Sequence, residues 1–262
     1  MFDPNRTYET NMESSMPQPR LTKERVFAML TNGDFDFGFK NFSGLNMDLS
    51  NRNIDKSNFY RAKLFGLILS NSSFIDAQFG DSEFNSTKCD NVNFSEAMFN
   101  GAAFIGTYLK NTKFHHCSMW HAKFHSVYAE GAEFDRATLG DASFAGKSNL
   151  EGARFRHSKC CGANFSKAIL RNVEFNDADL TGANFSHADL RGATFLRAKL
   201  DLADFRGARL DNDTYIPSDI SRNEALDFLT KFLNNKQKIS TKLPPKKPGF
   251  RSGGGHSSAR RY

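Results

Sequence analysis

The chain has 262 residues, of which 39% are hydrophobic and 24% are charged, so it can bury a core as one domain or two. No apolar run approaches the roughly 18 residues of a membrane-spanning helix, and the polar start MFDPNRTYETNMESSMPQP has no apolar segment typical of a Sec signal peptide. We therefore expect a cytoplasmic protein, or one delivered to a host cell by a secretion route other than Sec. The net charge of +6 is uneven, because residues 216–262 hold ten basic and three acidic residues while residues 35–215 hold 21 of each sign.

The N-terminal part of the chain divides into two predicted segments. Residues 1–20 are predicted to be a disordered N-terminus, and residues 21–34 a short capping helix with Thr22 as its N-cap and Gly33 at its end. The apolar residues that recur there at helical spacing are Val26, Phe27 and Leu30. We expect this helix to cover the strand edges that the following region would otherwise expose.

A five-residue repeat dominates residues 35–215. From Ile54 to Phe144 an apolar residue returns every five positions, and the series resumes one residue out of phase from Leu150 to Tyr215, which makes 19 plus 14, or 33, repeats. A small or β-branched residue stands two positions before most of these central residues. A period of five fits neither a helix, with a period of 3.6, nor a strand, with a period of 2. It fits a chain that turns a corner every five residues.

The stretch GANFSHADLRGATFLRAKL at residues 182–200 resembles pentapeptide repeats of the A(D/N)LXX type. The resemblance covers about 160 of the 262 residues. It implies an all-β solenoid, a right-handed quadrilateral β-helix of about eight coils with four pentapeptides in each coil. Residues 35–53 are expected to form an irregular first coil, with Phe37, Met47 and Arg52 at positions where small residues belong.

Four repeats per coil sort the central residues into four columns, of which two on opposite sides are rich in Phe. Rings stacked at the strand spacing of about 4.8 Å can form a continuous ladder. Both Phe columns continue across the slip at residues 145–149, which predicts a one-residue bulge there. Gly follows the Leu columns more often than the Phe columns, which predicts two turn types sorted by side. The predicted core ladder consists of Phe74, Phe94, Phe114, Phe134, Phe155, Phe175, Phe84, Phe104, Phe124, Phe144, Phe165 and Phe185.

The segment FHHCSMWHAKFH at residues 114–125 concentrates histidines around the single tryptophan of the chain. The repeat points these histidines outward over several corners, whereas a zinc site needs three or four ligands around one centre. We therefore predict no metal here. Two interpretations stay open, an ordinary solvated surface or a hot spot for a protein partner. Tyr108 and Tyr128, 20 residues apart, should stack on one outer face. The candidate partner-binding residues are Trp120, His116, His121, Tyr108 and Tyr128.

The sequence contains no pattern that indicates catalysis, a disulfide framework or a cofactor site. The four cysteines lack a disulfide-framework spacing, and Cys89, Cys117 and Cys160 fall at inward positions while Cys161 points outward. The sequence contains no nucleophile elbow, metal-binding helix motif, phosphate-binding loop or dinucleotide fingerprint. We predict a protein that is not an enzyme and has no cofactor, no metal and no small-molecule substrate.

After the repeats, residues 216–235 are predicted to form a C-terminal helix that begins at the capping box of Ser221 and Glu224. Its apolar stripe suits either a cap of the solenoid or a homodimer contact. Residues 236–262 are predicted to be a disordered basic tail that adds a weak contact to anionic surfaces.

The predicted function is that of a non-enzymatic scaffold that binds a protein partner, of the kind that some bacteria deliver into host cells as effectors. Two alternatives stay open. One is a DNA mimic that binds topoisomerase, as the resemblance to the quinolone-resistance subgroup implies, although the charge-balanced body departs from what mimicry needs. The other is binding of nucleic acid or membrane through the basic tail.

Overall fold

The structure, a computed structural model, describes residues 21–216, and the predicted N-terminus, C-terminal helix and basic tail lie outside these residues. The chain winds into a rod of about nine coils, in which each side of a coil pairs in parallel with the same side of the next coil. At about 4.8 Å per coil the rod is roughly 40 Å long. Two sides pair over three residues, β1 (Ala103–Ile105) and β2 (Lys123–His125), and the others pair through single bridges such as Ser73↔Asn93.

The one helix among the described residues, α1 (Lys23–Thr31), precedes the first coil. The side chain of Thr22 accepts a hydrogen bond from the amide of Arg25 at 3.3 Å, as the capping pattern predicts. Val26 is buried in the same apolar core as the coils, but Phe27 is not, and Arg52 lies over its ring at 5.3 Å. None of the described helical residues forms a span long and apolar enough to cross a membrane.

The four sides of the rod are named here by their central residues in one coil: side 1 contains Phe114, side 2 Met119, side 3 Phe124 and side 4 Ala129. Side 1 therefore lies opposite side 3, and side 2 opposite side 4. The Phe columns of sides 1 and 3 stack ring on ring, with centroids 4.6 Å apart for Phe104 and Phe124. The two columns also meet edge to face across the interior, as at the 5.5 Å contact of Phe134 with Phe144. All twelve rings of the core ladder are fully buried.

The register of the coils agrees with the sequence pattern in the middle and departs from it at both ends. The pairing of Tyr128 with Asn149 confirms a one-residue insertion at 145–149. Phe37 does not occupy a small slot, since it stacks as a central residue on Phe59 at 4.8 Å. At the other end Tyr215 pairs with Thr194 and is exposed while Ile216 is buried, so a second insertion displaces the last central position by one residue.

The sign of φ at the corners does not divide them into two types by side. The second residue after each central residue has a positive φ on all four sides, whether it is Gly101 (φ 73°), His121 (φ 57°) or Arg136 (φ 60°). Coils stacked at one spacing require the same sharp corner everywhere, and this requirement overrides the preference of L-residues for negative φ, which is about 1–2 kcal/mol per residue. The left-handed corners therefore lower the net stability of the fold.

A pair of corner substitutions should have opposite effects on stability. Glu96 is exposed at φ 66°, so Glu96→Gly should raise the free energy of unfolding by about 0.5–1 kcal/mol. Gly131 has φ 66° and an added Cβ there would lie 2.7 Å from Oδ1 of Asn111, so Gly131→Ala should lower it by about 1–2 kcal/mol. Chemical denaturation of both variants measures the difference, and effects of the same sign would mean that the corners are not left-handed.

Candidate functional site

The histidine-rich coil does not gather its ring nitrogens at one point. His116 and His121 occupy successive corners, with φ values of 59° and 57°. His115 contacts Glu133 at 2.5 Å through Nε2, and His125 contacts the hydroxyl of Ser143 at 3.2 Å. Among residues 21–216 no group of three or more His, Cys, Asp or Glu side chains is arranged to hold a metal ion. These histidines instead lie at separate places on the surface and do not share a common centre.

Trp120 lies on side 2 and is 45% exposed. Asn100 of the coil before accepts a hydrogen bond from its amide at 3.0 Å, which fixes the backbone. The six-membered ring of the indole lies against Gly140 of the coil after, so closely that a Cβ on Gly140 would collide with it. Glycine at this position lets a large aromatic ring lie flat along the rod.

Beyond Gly140 a shallow open groove of about 360 Å³ continues along side 2. Trp120 forms one end, and Cys161 lies at the next equivalent position. Charged side chains from three successive coils complete the lining: His157, Lys159, Asp177, Asp179, Arg197 and Lys199. The groove therefore combines one aromatic surface with a dense set of charges.

Most of the charges in the groove neutralise one another. Arg197 donates to the Asp177 carboxylate at 2.5 and 2.7 Å, and Nζ of Lys199 donates to Asp179 at 3.2 Å. Partial burial would raise the pKa of Asp179, but hydrogen bonds from Thr181 and other neighbours outweigh it and lower the pKa to about 2. Lys159 is exposed and forms no ion pair within the described part of the chain. It leaves one unpaired positive charge in the same groove as the indole.

Tyr108 and Tyr128 stack as expected, with ring centroids 4.9 Å apart and planes 13° apart. They belong to side 4, however, while Trp120 belongs to side 2. The candidate partner-binding residues are thus divided between two opposite sides and the corners of His116 and His121. A single partner cannot cover all five of them on one flat surface.

The thiols behave as the inward and outward positions indicate. Burial raises the pKa of Cys89 and Cys117, and that of Cys160 to about 12. Cys161 is exposed, but partial burial and then the neighbouring Asp179 raise its pKa as well. A thiol with a raised pKa is a poor nucleophile, because the thiolate is the reactive form.

Charged side chains of neighbouring coils pair with one another along the rod. Opposite charges approach within 4.0 Å across successive coils in the following pairs: Arg61–Asp81, Lys63–Glu83, Arg154–Glu133, Arg156–Asp135, Arg171–Asp189, Arg197–Asp177 and Lys199–Asp179. Within residues 21–216 the acidic side chains are therefore interleaved with basic ones on the same surface.

The sequence analysis did not predict one cluster of charged side chains. Asp189 on side 4 accepts hydrogen bonds from Arg191 at 2.7 Å and Arg171 at 2.9 Å, and Nη1 of Arg209 lies 3.8 Å away. The hydrogen bonds from Arg191 and then Arg171 hold the pKa of Asp189 well below its usual value. Positions 20 residues apart on side 4 would have indicated the cluster, since Asp189 and Arg209 stand in one outward row and Arg171 and Arg191 in the other.

Comparison with known proteins identifies the repeat. The sequence model described as pentapeptide repeats matches residues 148–186 and 178–212 in eight copies, and that of the pentapeptide repeat region matches residues 77–155, so together they span 77–212, about half of the chain. No curated protein sequence matches.

Solved structures with a similar course of the chain include HetL, a pentapeptide repeat protein involved in heterocyst differentiation regulation in the cyanobacterium Nostoc. It is 20% identical, with a TM-score of 0.48 over 78% of this chain and 100% of that one. Another is QnrB1, a plasmid-mediated fluoroquinolone resistance protein that is 21% identical, with a TM-score of 0.35 over 74% of this chain and 98% of that one. On the strength of the sequence models, the chain belongs to the pentapeptide repeat family.

Proposed function

We propose that the protein is a non-enzymatic scaffold whose side 2 binds a protein partner at the groove between Trp120 and Cys161. The single observation that carries this proposal is the placement of the indole. An exposed tryptophan is not needed to fold the rod, because the repeat requires only its inward residues. Tryptophan offers a large contact area at low cost in side-chain entropy, which is why it is frequent in hot spots.

The groove also indicates the chemistry of the partner. The indole suits an apolar side chain, and the unpaired ammonium of Lys159, two coils further along the groove, suits a carboxylate. A partner segment that presents both would gain specificity from the charge, since Arg197 and Lys199 of the groove are already paired with Asp177 and Asp179. The pentapeptide repeat family is generally non-enzymatic, which agrees with this role.

The surface charge favours a scaffold over DNA mimicry. A mimic of the DNA backbone needs a continuous run of negative charge, whereas the acidic residues here alternate with arginines one coil away. The similarity to QnrB1 is one of fold. Binding of anionic surfaces by residues 236–262 stays a separate proposal, and cytoplasmic residence or delivery to a host cell stays an expectation.

Two substitutions in the groove test the scaffold proposal. Trp120→Ala should weaken partner binding by about 2 kcal/mol, roughly 30-fold, because the hot-spot contact area is lost. Gly140→Ala should have a similar effect, because its new Cβ displaces the indole without removing it. The partner is first captured from a native extract with the full chain, and the affinities of purified variants are then measured by calorimetry.

The control is Lys123→Ala, an exposed residue of side 3 outside the groove, which should leave both binding and thermal stability unchanged. Full partner affinity in both Trp120→Ala and Gly140→Ala would place the interface elsewhere on the rod. If the variants lose affinity and also unfold at a clearly lower temperature, then Trp120 stabilises the fold and does not bind the partner directly.

A further inference from the structure

Side 4 carries a pattern of residues that is complementary to itself when the rod is reversed. The outward residues that precede its central positions stack through parallel bridges in one row along the rod: Asp48, Ile68, Lys88, Tyr108, Tyr128, Asn149, Ile169, Asp189 and Arg209. The midpoint of the first eight of these residues, from Asp48 to Asp189, falls between the two tyrosines. Ile68 stands two coils before Tyr108, and Ile169 stands two coils after Tyr128.

The second outward row of side 4, one residue after each central position, changes its charge at the same midpoint. Lys110 lies beside Tyr108 and Glu130 beside Tyr128, and Glu151 follows one coil later. Close to the midpoint, the half of side 4 that precedes it therefore carries the positive charges of Lys88 and Lys110. The half that follows carries the negative charges of Glu130 and Glu151.

We infer that side 4 is the interface at which a second copy of this chain binds, antiparallel to the first, across a twofold axis between Tyr108 and Tyr128. This axis lies in the plane of the interface and at right angles to the rod, so it turns the second copy to face the first, reverses the direction of its rod and keeps the interface self-complementary. Tyr108 of one copy then faces Tyr128 of the other, and Lys110 faces Glu130. The symmetry makes each of these contacts twice.

The outer parts of side 4 fit the same arrangement. Ile68 of one copy faces Ile169 of the other, which extends the apolar row on both sides of the tyrosines. Tyr108 and Tyr128 are 41% and 49% exposed in the single chain, so their contact surface is free for this use.

Two like-charge encounters occur in this arrangement, and neighbouring basic side chains offset each of them. Asp90 faces Glu151, and Asp90 lies between Lys88 and Lys110 of its own chain. At the ends of the row a second pair of carboxylates meets, those of residues 48 and 189, and the latter already accepts hydrogen bonds from two arginines. The central contacts therefore decide the alignment of the two copies.

The size of side 4 sets the strength of the dimer. A rod of about 40 Å with sides about 12 Å wide buries roughly 500 Å² per copy, or roughly 1,000 Å² in total, which is near the lower limit for a specific interface. We therefore expect a dissociation constant in the micromolar range rather than a permanent dimer. This interface is independent of the groove on side 2, which stays accessible in the dimer.

A charge swap tests the arrangement. Sedimentation velocity of the full chain from about 1 to 200 µM should show a reversible monomer–dimer equilibrium. Lys110→Glu alone and Glu130→Lys alone should each raise the dissociation constant at least about 10-fold, because each puts two like-charge pairs at the interface. An equimolar mixture of the two variants should associate again, because the carboxylate introduced at position 110 then faces the ammonium introduced at position 130, and the native Glu130 faces the native Lys110.

The single variants and the mixture together distinguish this interface from other modes of association. In a parallel dimer through side 4 residue 110 would lie level with residue 110 of the other copy and not with residue 130, so neither single variant would remove an attraction between Lys110 and Glu130. A dimer through the predicted C-terminal helix would be unaffected by either substitution. A chain that stays monomeric at 200 µM, single variants that dimerise like the native chain, or a mixture that does not associate would each overturn the inference.

Discussion

Replacing Phe124 by alanine should lower the free energy of unfolding by about 3–5 kcal/mol. The ring of Phe124 is fully buried between those of Phe104 and Phe144, at centroid distances of 4.6 and 4.5 Å, and meets Phe134 edge to face at 5.7 Å. Truncation removes these contacts, and the neighbouring coils cannot close the gap because their spacing is set by backbone hydrogen bonds. Small domains have only about 5–15 kcal/mol in total, so the loss is a large fraction.

Denaturant titration followed by circular dichroism measures the effect, and Phe165→Ala, which has equivalent stacked neighbours at 5.1 Å on both sides, should behave alike. His121→Ala is the matched surface control and should cost less than about 0.5 kcal/mol. If the phenylalanine and histidine variants unfold at the same denaturant concentration, then the inward and outward positions of the repeat have been exchanged.

Removing the charge of Asp189 should lower the free energy of unfolding by about 2 kcal/mol. Its side chain is only 10% exposed, and Asp189→Asn would leave Arg171, Arg191 and Arg209 close together without their shared counter-charge. Breaking a fully buried ion pair costs about 3–5 kcal/mol, and roughly half is expected here because the guanidinium groups are partly exposed. Asp141→Asn, at an exposed carboxylate 4.0 Å from His121, is the matched control and should be close to neutral.

The same carboxylate predicts a dependence of stability on pH. The pKa of Asp189 is lower in the folded chain than the value of about 3.9 for an unfolded one, so the folded state holds fewer protons. Its contribution is complete above pH ~4 and is lost as the pH falls through the folded pKa. Unfolding measured at about pH 7, 4 and 2.5 should show a loss mainly below about pH 4, and the loss should be smaller in Asp189→Asn. An equal loss in both proteins would show that the arginines do not stabilise the carboxylate.

The five-residue spacing is sufficient to predict the solenoid and its interior. A large residue every five positions with a small one two places before it can be buried only if the chain turns a corner in every repeat. The columns that follow from four repeats per coil placed rings such as Phe134 and Phe155 against each other, and the structure has them 4.7 Å apart. These features were predictable because burial of apolar side chains is governed by local spacing, which the sequence states directly.

The conformation of the corners and the register at both ends of the rod depend on contacts between coils. The stacking of coils forces left-handed backbone on residues such as Arg136 and Leu202 that do not favour it, at φ values of 60° and 59°. An extra residue before Ile216 shifts the last side in a way that the apolar pattern, with Tyr215 at the expected position, conceals. Both effects come from hydrogen bonds to the neighbouring coil, which the five-residue period does not encode.

The distribution of outward side chains was likewise settled by the assembled rod. The sequence placed Trp120 outside, but only the stacking shows that its indole covers Gly140 and that Tyr108 and Tyr128 lie on the opposite side. The convergence of three arginines on Asp189 depends on side-chain directions across three coils. Inward residues are fixed by the repeat, whereas outward residues acquire their partners from neighbouring coils, because nothing in the repeat itself constrains which side chains the surface brings together.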